Sequence, residues 1–173
     1  MRKASYLIIV LLALTAASCG AGRKAAKQHK YIQNTYEGIK EAVNEAEVTI
    51  LNDTIKVLFP EHLLFQKSSS DINIQTHPLM ERFANALIKY HKTDILINGY
   101  TDNTGSEDLN SNLSRERAMN AKNLLVKDGV DSSRMLTWGM GSKNPIADNN
   151  TQQGRSRNRR VEFIILYSLR ADK

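Results

Sequence analysis

The apolar residues from Val48 onward change period several times, and this alternation constrains the fold more than any other feature of the chain. Apolar residues at every second position predict a strand, whereas apolar residues three and four apart predict an amphipathic helix. In chain order the patterns predict strands at 48–50 and 55–59, a helix from 76 to about 90, a strand at 94–98, a helix at 111–128, and strands at 135–138 and 161–166. The sequence therefore predicts an α+β fold, a two-layer sandwich of two main helices on a mixed sheet of about four strands.

The composition excludes several classes of protein. With 173 residues, 41% of them hydrophobic and 24% charged, the chain fits one folded domain with a terminal extension and not a multidomain enzyme. A single cysteine cannot form an internal disulfide, and together with four scattered histidines it gives no metal-ligand spacing. The sequence therefore predicts neither a metal site nor a cofactor. The net charge of +6 favours anionic partners without naming one.

Residues 1–18 have the layout of a secretory signal peptide. Two basic residues precede an apolar run at 7–14, and small residues follow up to Cys19. The run is shorter than the roughly 20 apolar residues that span a bilayer, which disfavours a retained transmembrane helix. The sequence Ala-Ala-Ser-Cys at 16–19 resembles a bacterial lipobox, in which cleavage precedes a cysteine that becomes lipidated. Ala16 departs from the usual leucine, and an ordinary signal peptide with a free thiol is the alternative.

Residues 19–47 are predicted to form a lipidated N-terminus, a basic tether and a short helix. From 20 to about 36 there is no apolar period, and four basic residues occur without an acidic one, which predicts a solvated linker. These charges would be attracted to an anionic membrane leaflet, although a soluble spacer would have the same pattern. Apolar residues at helical spacing predict one short helix within 37–47, to which the sequence assigns no role.

The helix predicted at 111–128 carries an arginine on its apolar side. At about 100° per residue from Leu113, Arg117 falls near 40°, inside the arc formed by the apolar residues. A buried arginine keeps its charge, so it must meet a carboxylate or line a wet cleft. Asp102, just after the strand at 94–98, is the nearest acid by topology. Two interpretations stay open, a structural Asp102–Arg117 ion pair and a cleft that holds a zwitterionic amino acid headgroup with help from Asn110.

The residues around these positions match a known pattern in four separate segments. They are Ile97-Asn98-Gly99-Tyr100-Thr101-Asp102 with Gly105; Asn110, Leu113-Ser114 and Arg117-Ala118; Gly139-Met140-Gly141 with Pro145; and Gly154-Arg155 with Asn158-Arg159-Arg160-Val161-Glu162. Over about residues 48 to 169 the chain thereby resembles the OmpA-like C-terminal domain, which peptidoglycan-associated lipoproteins and flagellar stator B subunits share.

The resemblance implies that residues 48–173 form a peptidoglycan-binding domain without catalytic activity. The family grips the meso-diaminopimelate of the stem peptide. Carried over by position, Asp102 would hold an amino group and Arg117 a carboxylate of that residue, with Thr101 and Asn110 completing the pocket. The fifth predicted pocket residue is Arg160, and its neighbour Arg159 is the alternative.

Taken with a lipidated Cys19, the resemblance implies an outer-membrane lipoprotein. Its domain would face the periplasm and tie the membrane to the cell wall, with other envelope proteins as candidate partners. Four arginines at 155–160 could suggest a nucleic-acid site, but export and the lack of interleaved aromatic residues argue against one. Trp138 is predicted to be core or cleft wall.

Two other functions remain as alternatives. Asp102 with Glu107 or Asp108 could form the carboxylate pair of a peptidoglycan-cleaving hydrolase, although acids on a polar loop are more often solvated. A stator-like subunit that clamps the wall would need a membrane span of roughly 20 residues with an acidic residue inside it. The run at 7–14 has neither the length nor the acid.

Overall fold

Five strands form one mixed sheet in the computed structural model, which describes residues 2–66 and 69–170, with side chains from residue 22 onward. The sheet order is β1-β2-β5-β3-β4, and only the outer pair β3 and β4 is parallel. The strands are Glu47–Leu51 (β1), Thr54–Pro60 (β2), Thr93–Tyr100 (β3), Met135–Gly139 (β4) and Arg160–Tyr167 (β5). The helices are Arg2–Ala42 (α1), Glu61–Leu64 (α2), His77–Lys89 (α3), Glu107–Lys127 (α4) and Gln152–Asn158 (α5).

The predicted fold class is confirmed, with a sheet of five strands where about four were expected. Asn52 and Asp53 connect β1 to β2 with φ of 49° and 57°, because two positive φ values suit the twist of a tight hairpin. β5 lies at the centre of the sheet, antiparallel to both β2 and β3. Short 3-10 turns, Ile74–Thr76 and Ser132–Arg134, lead into α3 and β4.

The main core lies between the sheet and the helices. Phe59 of β2, Phe83 of α3 and Phe163 of β5 are fully buried, and their ring centroids are 5.1–5.5 Å apart. The apolar stripe predicted for α3 therefore faces the sheet, as its period required. A third helix, α1, joins this layer and packs on α3 and β1.

The prediction of a solvated linker at 20–36 is wrong for its second half. α1 continues to Ala42, and Ile32, Ile39 and Val43 are fully buried against the domain. The ring of Tyr31 meets the edges of the Tyr90 and Tyr167 rings at centroid distances of 6.1 and 5.7 Å. The short helix predicted at 37–47 is thus the end of a longer helix, and residue 47 already belongs to β1.

The predicted signal peptide and the Cys19 anchor involve side chains outside the described residues, so both stay predictions. Among residues 2–66 and 69–170, no helix combines the length and the apolar character that crossing a membrane requires. The described side chains of α1 begin at residue 22.

Replacing Ile32 by alanine tests the packing of α1. We expect Ile32→Ala to lower the free energy of unfolding by about 2–5 kcal/mol, because it removes a buried side chain and leaves a cavity. Asn34→Ala, at an exposed position on the same helix, should change it by about 0.5 kcal/mol or less. Urea denaturation of both variants measures the difference. Equal free energies of unfolding for the two variants would contradict the packing of α1 against the domain.

Candidate functional site

A cavity of about 770 Å³ opens where β3 ends, between α2, α4 and the start of β5. Four of the five predicted site residues line it: Thr101, Asp102, Asn110 and Arg117. The charged side chains of Glu61, which was not predicted, and Arg159, the predicted alternative to Arg160, also line the cavity. The structure therefore brings the predicted residues together, with one exception.

The position of α4 depends on two glycines. A Cβ on Gly99 would lie 2.0 Å from the backbone oxygen of Ser114, and one on Gly139 would lie 2.7 Å from the backbone nitrogen of Arg115. Any other residue at these positions would push α4 away from β3 and β4. The close approach sets the depth at which Arg117, one turn after Ser114, enters the cavity.

α4 begins four residues earlier than predicted, and this brings Asn110 into its first turn. Ser106 caps the helix, because its hydroxyl oxygen accepts from the backbone N–H of Leu109 at 3.3 Å. The Asn110 amide donates to the backbone oxygens of Thr104 at 2.9 Å and Asp102 at 3.4 Å. Asn110 thus shapes the loop that carries Asp102.

Arg117 is buried, as the helical period predicted, and its side chain is only 2% exposed. Its Nη2 donates to Glu61, and its Nε and Nη2 each donate to the backbone oxygen of Ser69 at 3.1 Å. Burial lowers the pKa of Arg117, and the Glu61 carboxylate opposes that shift. Of the two interpretations left open, the structural Asp102–Arg117 ion pair is wrong, because the acid that contacts Arg117 is Glu61.

One donor of Arg117 remains unused. Nη1 is the one buried side-chain nitrogen or oxygen that has no hydrogen-bond partner among the described residues. The Phe65 ring lies beside the guanidinium, 5.4 Å from its central carbon, and offers no conventional acceptor. A buried cationic N–H without an acceptor is costly, so this donor marks where a ligand acceptor would be stabilised most.

Asp102 is held by its own loop and by Arg159. Oδ1 accepts from the backbone N–H of Thr104 at 2.9 Å and from the Thr104 hydroxyl, and Oδ2 accepts from Arg159 Nη1 at 2.7 Å. Burial raises the pKa of Asp102, but the hydrogen bonds from Thr104 and Arg159 outweigh it, and the net pKa lies below the ordinary value. Asp102 is therefore a carboxylate at neutral pH.

Arg160 does not line the cavity, and Arg159 does. Arg160 begins β5 and Arg159 directly precedes it with an extended backbone. Because successive residues of extended backbone point to opposite sides, the two arginines diverge. The Arg160 Nε donates to Glu162 at 2.8 Å, and its guanidinium lies 3.7 Å from the centre of the Tyr100 ring. The predicted placement of Arg160 in the cavity is thus wrong, and Arg159, its alternative, lines the cavity. Arg160 instead contacts Glu162, the backbone oxygen of Asn144 and the Tyr100 ring.

Glu61 is the site residue that sequence reasoning missed. It follows Pro60 at the end of β2 and accepts from both Arg117 and Arg159. Its backbone N–H donates to the Arg159 backbone oxygen at 3.0 Å, so α2 and β5 begin side by side. The only sequence signal was an acid directly after a strand.

Three further predictions concern Thr101, Trp138 and the acids of the first turn of α4. Thr101 is buried, and its backbone N–H donates to the Gly141 oxygen at 2.9 Å. Trp138 was predicted to be core or cleft wall, which is wrong: it is 60% exposed, on the sheet face away from Met135 and the helices. Glu107 and Asp108 are exposed and do not line the cavity, so they form no carboxylate pair with Asp102 there.

Comparison with known proteins identifies the family. A model of the OmpA family matches residues 64–159, which is more than half of the chain. The chain belongs to the OmpA family. The resemblance predicted from the four segments is therefore confirmed, and the OmpA-family match includes every cavity residue discussed above except Glu61.

Relatives of this OmpA-family chain include a probable lipoprotein and a peptidoglycan-binding protein. It is 40% identical over 118 residues to the probable lipoprotein YiaD of Escherichia coli, covering 68% of this chain and 54% of that protein. It is 37% identical over 115 residues to the peptidoglycan-binding protein ArfA of Mycobacterium tuberculosis, covering 66% of this chain and 35% of that protein. The chain thus spans about half of one relative and about a third of the other.

A solved structure has the same fold. The MotB-like protein of Desulfovibrio vulgaris superposes with a TM-score of 0.74 at 20% identity, over 82% of this chain and 98% of that one. At this identity the likeness concerns the fold alone.

The titration of Asp102 tests the electrostatics of the site. Because its pKa is depressed in the folded state, its contribution to stability is present above the unfolded pKa and is lost as the pH falls through the folded pKa. In a carbon-detected NMR titration, the Asp102 carboxyl should therefore titrate below an ordinary aspartate. Arg159→Ala should raise that midpoint, and Arg157→Ala, at an exposed position on α5, should not. An unchanged midpoint in Arg159→Ala would contradict the assigned ion pair.

Proposed function

We propose that this protein binds peptidoglycan noncovalently through the meso-diaminopimelate of the stem peptide, and that a lipidated Cys19 ties it to the outer membrane. The observation that carries the proposal is the buried, unpartnered Nη1 of Arg117, a residue that lines the cavity. A ligand carboxylate would gain a charge-assisted hydrogen bond from this donor. Because the donor is already desolvated in the folded protein, binding would not add that desolvation cost.

The opposite charge needed for a zwitterion is close at hand. Asp102 lines the same cavity with a side chain only 7% exposed, and the loop hydrogen bonds favour its ionised form. An amino group placed on Asp102 and a carboxylate on Arg117 are the two halves of one amino acid headgroup. Diaminopimelate offers such a headgroup at the end of its side chain, where no peptide bond consumes it.

The size of the cavity and the relatives support the same proposal. A volume of about 770 Å³ lies in the range of roughly 300–1,000 Å³ that small-ligand sites occupy. ArfA is named a peptidoglycan-binding protein and YiaD a probable lipoprotein. We assign no catalysis to the site, because Glu107 and Asp108, the acids that a hydrolase pair with Asp102 would use, lie outside the cavity.

The helical tether gives the proposed anchor a defined geometry. From Cys19 to Tyr31, whose ring packs on that of Tyr90, α1 rises about 18 Å at 1.5 Å per residue. Four basic residues lie in this part of the chain, and each would contribute about 1 kcal/mol of attraction near an anionic leaflet. The domain would then stand at a short, fixed distance from the lipid.

Binding to purified sacculi tests the wall-binding proposal. Asp102→Asn removes the charge and Arg117→Lys removes the planar fork, and each should weaken binding by about tenfold or more, because charge-assisted hydrogen bonds contribute about 1.5–3 kcal/mol. Co-sedimentation with sacculi measures the loss, with Arg157→Ala as the matched control. Unchanged pelleting of both variants would contradict the clamp, and release of soluble muropeptides by the wild type would indicate a hydrolase.

Metabolic labelling tests the anchor separately. Cells expressing the full chain should incorporate labelled palmitate into the protein, and Cys19→Ser should abolish the label because Cys19 is the one cysteine of the sequence. Label that persists in Cys19→Ser would refute a thioether-linked lipid at this position.

A further inference from the structure

The carboxylate of Glu61 already occupies part of the site proposed for the ligand. Oε1 accepts from Arg117 Nη2, and Oε2 accepts from Arg159 Nε. The side chain is 14% exposed, and its backbone is fixed to β5 through the hydrogen bond to the Arg159 oxygen. Glu61 thus meets the same guanidinium that a ligand carboxylate would use.

Arg159 occupies the place proposed for the ligand ammonium, at the other end of the cavity. Its Nη1 donates to Asp102 Oδ2 at 2.7 Å, where the ammonium of a zwitterion would bind. The carboxylates of Asp102 and Glu61 raise the pKa of Arg159 against the lowering effect of its burial, so it is a permanent cation. Together Glu61 and Arg159 present a carboxylate and a cation to the two groups that would clamp the headgroup.

We infer that Glu61 is a specificity-determining residue of this cleft, an internal carboxylate that competes with the ligand carboxylate for Arg117. The inference rests on the proposed function and adds to it a residue outside the predicted set. It explains the incomplete use of Arg117: Glu61 and the Ser69 oxygen engage Nη2, and Nη1 stays free. A ligand carboxylate that binds end-on across both Nη atoms must exchange with Glu61 at Nη2.

The four charges form a chain that is neutral as a whole. Along the cavity the order is Asp102, Arg159, Glu61, Arg117, two anions and two cations. A ligand with only a carboxylate, or only an ammonium, would leave one charge uncompensated in a partly buried site. A zwitterion keeps the balance, since Glu61 and Arg159 can move aside while still paired to each other. Glu61 therefore favours ligands whose amino group is free.

Removing the charge of Glu61 shows whether Glu61 competes with the ligand for Arg117 or positions Arg117 for it. Glu61→Gln keeps the shape of the side chain but releases Arg117, so free meso-diaminopimelate should bind about tenfold more tightly, as expected for the loss of one competing charge-assisted hydrogen bond. Its di-N-acetyl derivative, a pure anion, should gain even more, so discrimination between the two ligands should shrink. Glu107→Gln removes an equal charge from the exposed first turn of α4 and should change neither affinity.

Isothermal titration calorimetry of the full-length proteins with both ligands measures these affinities. Tighter binding and weaker discrimination in Glu61→Gln, with Glu107→Gln unchanged, support the inference. Equal or weaker binding by a folded Glu61→Gln overturns it, because Glu61 would then position Arg117. If Glu61→Gln does not fold, Glu61→Asp replaces it: the shorter carboxylate withdraws from Arg117, so tighter binding supports competition and equal or weaker binding overturns it. Wild-type protein that binds neither ligand nor sacculi would instead overturn the proposed function.

Discussion

Burying the guanidinium of Arg117 is the constraint on which the site depends. A charge at 2% side-chain exposure needs acceptors on several sides, and the fold supplies them from Glu61 and the Ser69 backbone. These acceptors come from segments far apart in sequence, which α4 can meet only because Gly99 lets it lie against β3. One donor is left over, on a residue that lines the cavity that we propose for the ligand.

The same domain also fixes the segment that would connect it to a membrane. Ile32 and Ile39 bury one side of α1 against α3 and the sheet, and Val43 directly after the helix is buried as well, so the tether belongs to the domain layer. A packed helix fixes both the distance and the direction between its ends, whereas a flexible linker limits only the distance between them. If Cys19 is lipidated as proposed, the cleft would be held in a restricted zone beneath the membrane.

Local patterns predicted much of this structure. The period of α4 identified Arg117 as buried, and strand spacing gave the order of the elements, because both depend on neighbours within a few residues. Glu61 could not be predicted, since its partners lie 56 and 98 positions away. The choice between Arg159 and Arg160 depends on the register of the strand, because a shift by one residue moves each side chain to the opposite face. The buried side of α1 was not predicted, because its few apolar residues lie among basic ones and become buried only through contacts with the rest of the domain.

An NMR titration of the labelled full-length protein with free meso-diaminopimelate tests the central claim most directly. If the headgroup binds in the cavity, we expect saturable shifts there, including the side-chain Nε–H of Arg117 and Arg159, and no comparable shifts at Arg160 and Glu162 on the other face of the sheet. The backbone amides expected to respond are Thr101, Asp102, Asn110 and Arg117. Saturable binding with shifts confined to surfaces outside the cleft, or no binding at all, would contradict it.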